Sequence, residues 1–88
     1  MLQEYQDRME TLGQELEKFA DQFSEQHPEL SHQVEDTLVH LKKAEEEVLG
    51  SLSEWLAYGE LRTDEMVDAV EARISRFESL LKAAIAKF

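Results

Sequence analysis

The chain contains no cysteine, one proline and three glycines among 88 residues, and only nine basic side chains stand against twenty acidic ones. The absence of cysteine excludes disulfide bridges, thiolate zinc sites and thiol nucleophiles. The scarcity of glycine and proline leaves few signals for turns. The net charge of −11 would be repelled by a phosphate backbone, so we expect no direct binding to nucleic acid.

Long apolar runs are also missing. No stretch of eighteen apolar residues occurs, so we expect no transmembrane helix and no membrane partner. The first seven residues lack the apolar segment of a signal peptide, so we expect a cytoplasmic protein. The length suits a single helical domain over residues 1–88. A chain this short and without disulfides gains stability from close helix packing or from association with another copy.

Apolar residues recur at alternating spacings of three and four, the pattern of helices that pack along their whole length. In the first third they are Leu2, Tyr5, Met9, Leu12, Leu16, Phe19 and Phe23. In the last third they are Val67, Val70, Ile74, Phe77, Leu81, Ala84 and Phe88. The middle third has a wider apolar stripe, which includes Leu49 and Leu56 and predicts contact with two neighbouring helices. The pattern predicts an all-α fold with helices at about 2–26, 29–58 and 64–87.

Local signals mark the ends of these helices. Pro28 ends the first helix, Gly59 suits a left-handed cap after the second, and Thr63 is the expected N-cap of the third. Gly50 is followed by a Ser-x-x-Glu capping box, so a break there is an alternative to the single, continuous second helix that we favour. Short connections predict an antiparallel up-down-up three-helix bundle, coiled-coil-like, and a homodimer is its natural extension.

The negative charge is unevenly distributed. Residues 1–29 carry eight acids and two bases (−6), residues 30–58 six acids and two bases (−4), and residues 59–88 six acids and five bases (−1). One interpretation is that the acids form solvated faces that keep a small protein soluble. The other is that they form an acidic face for a basic partner protein.

One polar stripe has residue types that bind metals. His32, Asp36 and His40 lie one helical turn apart, with Glu29 just before them, and imidazole and carboxylate at this spacing can chelate zinc. His32 and His40 are two turns apart, so a complete site needs ligands from another helix. Glu29 and His32 also have the E-x-x-H spacing of di-iron bundles, but no second such motif exists. We therefore interpret the stripe as an exposed polar face and predict no metal, no cofactor and no catalytic residue.

The aromatic residues fall mostly at stripe positions, which is typical of core packing. As residues that contact a partner we select Trp55, Tyr58, Phe19 and Phe23, and we expect Trp55 and Tyr58, near a turn, to be half-exposed. The sequence thus predicts a non-enzymatic, acidic interaction module that binds a protein partner and self-associates. Two alternatives stay open: an acidic nucleic-acid mimic or inhibitor that occupies a basic partner, and a metal-binding helical protein.

The segment Ala57-Tyr58-Gly59-Glu60-Leu61-Arg62-Thr63-Asp64-Glu65 lies between a helix rich in lysine and glutamate and an amphipathic helix. Over residues 38–80 the chain resembles the helical region of the YbeL-like, zinc-ribbon-containing bacterial proteins, in which a similar turn joins two long helices. Those proteins also carry a four-cysteine zinc ribbon, whereas this chain has no cysteine. The resemblance implies a bacterial, cytoplasmic helical module of uncharacterised role, and no site residue transfers.

Overall fold

The computed structural model describes residues 2–26 and 28–88. The predicted all-α fold is confirmed: these residues form three long helices, α1 (Leu2–Gln26), α2 (Ser31–Tyr58) and α3 (Asp64–Lys87), and they contain no strand. Short 3₁₀ helices, Pro28–Leu30 and Gly59–Leu61, occupy the two connections. Along the described chain, no helical segment has the length and apolar character needed to cross a bilayer.

The second helix begins later than the sequence pattern indicates. Its first α-helical residue is Ser31, because the preceding residues from Pro28 form a tighter 3₁₀ turn. Leu30 occupies the N-cap position, and its apolar side chain accepts no capping hydrogen bond. A 3₁₀ turn is a common way to begin a helix that lacks a side-chain cap. The helix then continues through Gly50, so the alternative break at that residue does not occur.

The connection between α2 and α3 has the N-cap that its sequence predicts but not the left-handed cap at Gly59, where a ψ of −117° lies outside the left-handed helical region. Gly59 adopts a positive φ of 55° and its N–H donates to the carbonyl of Trp55, an arrangement that suits a residue without Cβ. Thr63 is extended, and its hydroxyl accepts a hydrogen bond of 3.3 Å from the N–H of Met66. Local hydrogen bonds thus define the end of α2 and the start of α3.

The three apolar stripes meet in one core. Its buried side chains come from every helix: Met9, Leu12, Leu16, Phe19, Val34, Leu41, Ala44, Val48, Leu52, Trp55, Val70, Ile74, Phe77, Leu81 and Ala84. The ring centroids of Tyr5 and Trp55 are 5.7 Å apart, and those of Phe19 and Phe88 are 6.0 Å apart. The molecule measures 49 × 18 × 18 Å, so the core is long and only a few side chains wide.

The wide stripe of α2 is only partly buried. This helix packs against both α1 and α3, but Leu49 and Leu56 remain 47% and 56% exposed. They lie at the flank of the stripe, where neither neighbouring helix covers them.

Core and flank positions of α2 should differ in their effect on stability. Leu41 is 1% exposed, so we expect Leu41→Ala to lower the free energy of unfolding by about 2–5 kcal/mol through lost burial and a residual cavity. The matched control, Leu49→Ala, should change it by no more than about 0.5 kcal/mol. Urea denaturation of both variants measures the difference, and equal midpoints would contradict the core assignment.

The cap at Thr63 should also be measurable. Thr63→Ala removes the acceptor for the Met66 N–H, and we expect a loss of about 1 kcal/mol in the free energy of unfolding. Thr63→Ser keeps a hydroxyl at this position and should retain most of the stability. If thermal denaturation shows the same loss of unfolding free energy for both variants, the capping hydrogen bond contributes nothing to stability.

Candidate interaction surfaces

The polar stripe that has metal-binding residue types lies on the outside of α2. His32, Asp36 and His40 are all exposed. His40 borders clefts between α2 and α3, where its neighbours include Lys43 and Leu80. Over residues 2–26 and 28–88, no three or more histidine, aspartate or glutamate side chains come together as a metal-ion site would require. The stripe therefore remains a feature of one helix face.

The structure corrects the prediction of aromatic partner contacts at two of four positions. Trp55 and Phe19 are only 3% and 2% exposed, so a partner cannot reach them. Tyr5 packs near the indole of Trp55, and the Arg62 guanidinium lies 5.7 Å from its ring centroid. Proximity to a turn did not leave this side chain half-exposed, because these neighbours cover it.

The other two aromatic residues remain accessible to different degrees. Phe23 is half-buried, with its ring centroid 4.8 Å from that of Phe19 and 5.9 Å from that of Phe88. Tyr58 is exposed at the end of α2. Of the four selected residues, Tyr58 alone presents most of its side chain to solvent.

One apolar surface lies between α2 and α3, and we call it the α2/α3 cleft. It encloses about 250 Å³ and is lined by Thr37, His40, Leu41, Leu80, Ala83, Ala84 and Lys87. Leu80 is 37% exposed within it. One turn along α3, Arg76 pairs with Glu47 of α2 at 3.4 Å. The cleft is therefore apolar at its centre, with Lys87 and an ion pair at its borders.

A second surface lies between α1 and α2, and we call it the α1/α2 groove. Its central part is a depression of about 370 Å³ lined by Gly13, Leu16, Glu17, Ala20, Asp21, Lys42 and Glu45. Farther along α2, Leu56 lines a cleft of about 350 Å³ together with Leu2 and the start of the α2–α3 connection. Leu49 lies four residues after Glu45 and seven before Leu56, so it occupies the same face of α2 at a position between the two depressions.

Two glutamates have pKa values shifted in opposite directions by their surroundings. Burial raises the pKa of Glu45, and the nearby carboxylate of Glu17 raises it further, against a smaller opposing effect of Lys42. A hydrogen bond from Lys82, followed by the charge of Lys82 and a hydrogen bond from Arg8, lowers the pKa of Glu78. Negative charge is therefore crowded along the α1/α2 groove and compensated beside α3.

One polar contact inside the bundle was missed by the sequence reasoning. Ser51 is buried, and the guanidinium of Arg73 donates a hydrogen bond to its hydroxyl. A signal was available, because Ser51 lies seven residues after the buried Ala44 and therefore on the same face of α2.

Comparison with known proteins gives no match to a protein-family model, to a curated protein or to a solved structure. The resemblance of residues 38–80 to YbeL-like proteins stays a prediction.

The crowded carboxylate of Glu45 gives a pH-dependent expectation. Because its pKa is raised in the folded protein, the folded state holds more protons than the unfolded state between the ordinary and the raised pKa. The free energy of unfolding contributed by this group therefore falls as pH rises through that interval. We expect Glu45→Gln to be more stable than the parent at pH 7.

Urea denaturation at pH 7 and at pH 4 measures the effect of Glu45→Gln. The gain over the parent should shrink at the lower pH, where the parent's carboxyl is protonated. Glu35→Gln, at an exposed position of the same helix that does not contribute to the shift of Glu45, is the matched control. A Glu45→Gln variant that is less stable than the parent at pH 7 would contradict the direction of the pKa shift.

Proposed function

We propose that this chain is a non-enzymatic helical interaction module, an up-down-up bundle that binds protein partners and associates with a second copy of itself. The pairing of Tyr5 near the start of α1 with Trp55 near the end of α2 supports an antiparallel arrangement of these helices. The pairing of Phe19 with Phe88 supports a parallel arrangement of α1 and α3. The alternating spacings of three and four favour coiled-coil-like packing.

The observation that carries this proposal is that large apolar side chains remain exposed outside the buried core. The bundle buries its own core, yet large apolar residues remain outside it: Val39, Leu49, Leu56, Tyr58, Leu61, Leu80 and Ile85. Leu80 lines the α2/α3 cleft, and Leu56 lines the terminal part of the α1/α2 groove. Apolar patches next to polar rims are typical of surfaces that bind other proteins.

The second copy is best accommodated at the α2/α3 cleft. Each copy carries a net charge of −11, so two copies repel unless they meet where negative charge is low. The cleft satisfies this requirement, since Lys87 lines it and Arg76 neutralises Glu47 nearby. Leu80 and Ala83 supply apolar surface for the contact. An interface of this kind buries Leu80 from both copies around a two-fold axis.

An acidic nucleic-acid mimic is the second candidate, and the excess of acidic side chains in residues 1–58 supports it, although these acids are scattered around each helix and do not form one continuous face. Residues 1–58 carry fourteen acids against four bases, or −10 of the total −11. A mimic would bind a basic partner mainly through charge, so its affinity would fall steeply with salt. A bacterial, cytoplasmic setting, implied by the YbeL-like resemblance, is compatible with either function.

Self-association can be tested at one leucine. We expect the parent to behave as a dimer in size-exclusion chromatography with light scattering, and Leu80→Ser to weaken dimerisation about tenfold or more, because the substitution removes an apolar side chain from the interface. Leu49→Ser is the matched control: it removes a comparably exposed leucine from the α1/α2 groove and should leave the dimer intact.

The mass at several protein concentrations separates the outcomes. A parent that remains monomeric at high concentration would contradict self-association. A dimer that Leu49→Ser weakens and Leu80→Ser does not would place the second copy on the other face of the bundle. Circular dichroism of both variants should show the helix content of the parent, because each leucine lies outside the core.

A further inference from the structure

The α1/α2 groove is lined by small residues on its α1 side. Gly13 and Ala20 are the smallest residues that line its central depression. A Cβ added at Gly13 would lie 3.4 Å from Oε2 of Glu45, in ordinary van der Waals contact, so the two helix surfaces approach closely at this point.

Exposed leucines continue the groove along α2. Leu49 and Leu56 are two turns apart on the flank that faces α1, and each has about half of its surface exposed. Leu2 of α1 lies beside Leu56 in the terminal cleft. From Lys42 to Leu56 the groove extends about 21 Å at 1.5 Å per residue. This length accommodates about four turns of a bound helix.

The charges beside this apolar line have one predominant sign. Glu17, Asp21 and Glu45 line the central depression together with Lys42, and Glu60 and Arg62 line the terminal cleft. Glu10 lies seven residues before Glu17 and therefore on the same face of α1. The charge of Glu17 contributes, after burial, to the raised pKa of Glu45, so these two carboxylates repel each other across the groove. A cation brought to the groove would relieve this repulsion.

We propose that the α1/α2 groove binds an amphipathic helix of a partner protein, one whose apolar stripe is flanked by lysine or arginine. The apolar stripe packs on Leu49 and Leu56, and the flanking cations lie against Glu17, Asp21 and Glu45. A second copy of this chain is a poor occupant, because residues 1–58 would bring a charge of −10 to a groove that is already acidic. This inference rests on the proposed interaction function and names the partner's chemistry.

Two designed peptides test the inference with the full chain. Both are about 18 residues long, enough to span the groove, with the same leucine stripe, and they differ only in having lysine or glutamate at the flanking positions. Fluorescence anisotropy of labelled peptides at physiological salt measures binding. We expect the lysine-flanked peptide to bind at least about tenfold more tightly than the glutamate-flanked one.

Three variants separate apolar packing from general charge attraction. The Leu49→Ser/Leu56→Ser double variant should weaken binding of the lysine-flanked peptide about tenfold or more. The control Leu80→Ser lies on α3, in the α2/α3 cleft, and should leave this binding unchanged. The Glu17→Lys/Asp21→Lys double variant should reverse the preference and favour the glutamate-flanked peptide. Circular dichroism checks that each variant is folded.

Each failure has a distinct meaning. If the lysine-flanked peptide binds the leucine double variant as tightly as the parent, its binding depends on charge alone, which overturns the groove and favours the nucleic-acid mimic. If neither peptide binds, or if Glu17→Lys/Asp21→Lys leaves the preference unchanged, the inference is wrong. The interaction function itself would still stand if light scattering shows the Leu80-dependent dimer.

Discussion

The three helices depend on one another to remove their apolar stripes from water. Val48, Val70, Ile74, Phe77 and Leu81 lie completely buried where the helices meet, and an isolated helix would leave all of these side chains in solvent. In a molecule 18 Å across, this central row takes up the interior. Small domains bury a smaller share of their surface than large ones do. Clefts and polar clusters therefore form on the outside, in the grooves between neighbouring helices.

Packing also determines the environment of the charges. Glu45 and Glu78 have the same side chain, yet their pKa values shift in opposite directions, because Glu45 lies partly buried near Glu17 whereas Glu78 contacts Lys82 and Arg8. The acids of α1 and α2 meet across one groove, while the bases of α3 neutralise acids on the other flanks of the bundle. This small protein thus presents two surfaces of different electrostatic character.

The two proposed surfaces use opposite flanks of α2. The α2/α3 cleft combines apolar side chains with neutralised charge, which suits a second acidic copy, and the α1/α2 groove combines apolar side chains with excess negative charge, which suits a basic helix. Since Leu80 belongs to one surface and Leu49 to the other, single substitutions can address them separately. A dimer formed through the α2/α3 cleft would leave both acidic grooves accessible.

The sequence by itself determined the three helices and, except for the start of α2, their ends. Spacings of three and four marked the buried positions of α1 and α3, and Gly59 and Thr63 marked the caps through their own backbone and hydroxyl chemistry. Tertiary structure alone decided that Leu49 stays exposed, that Trp55 is buried and that Arg73 is the hydrogen-bond partner of Ser51. The physical reason is that helical periodicity defines the direction of a side chain around its own axis. How far the neighbouring helices cover that direction depends on their distance and on the side chains they bring to it.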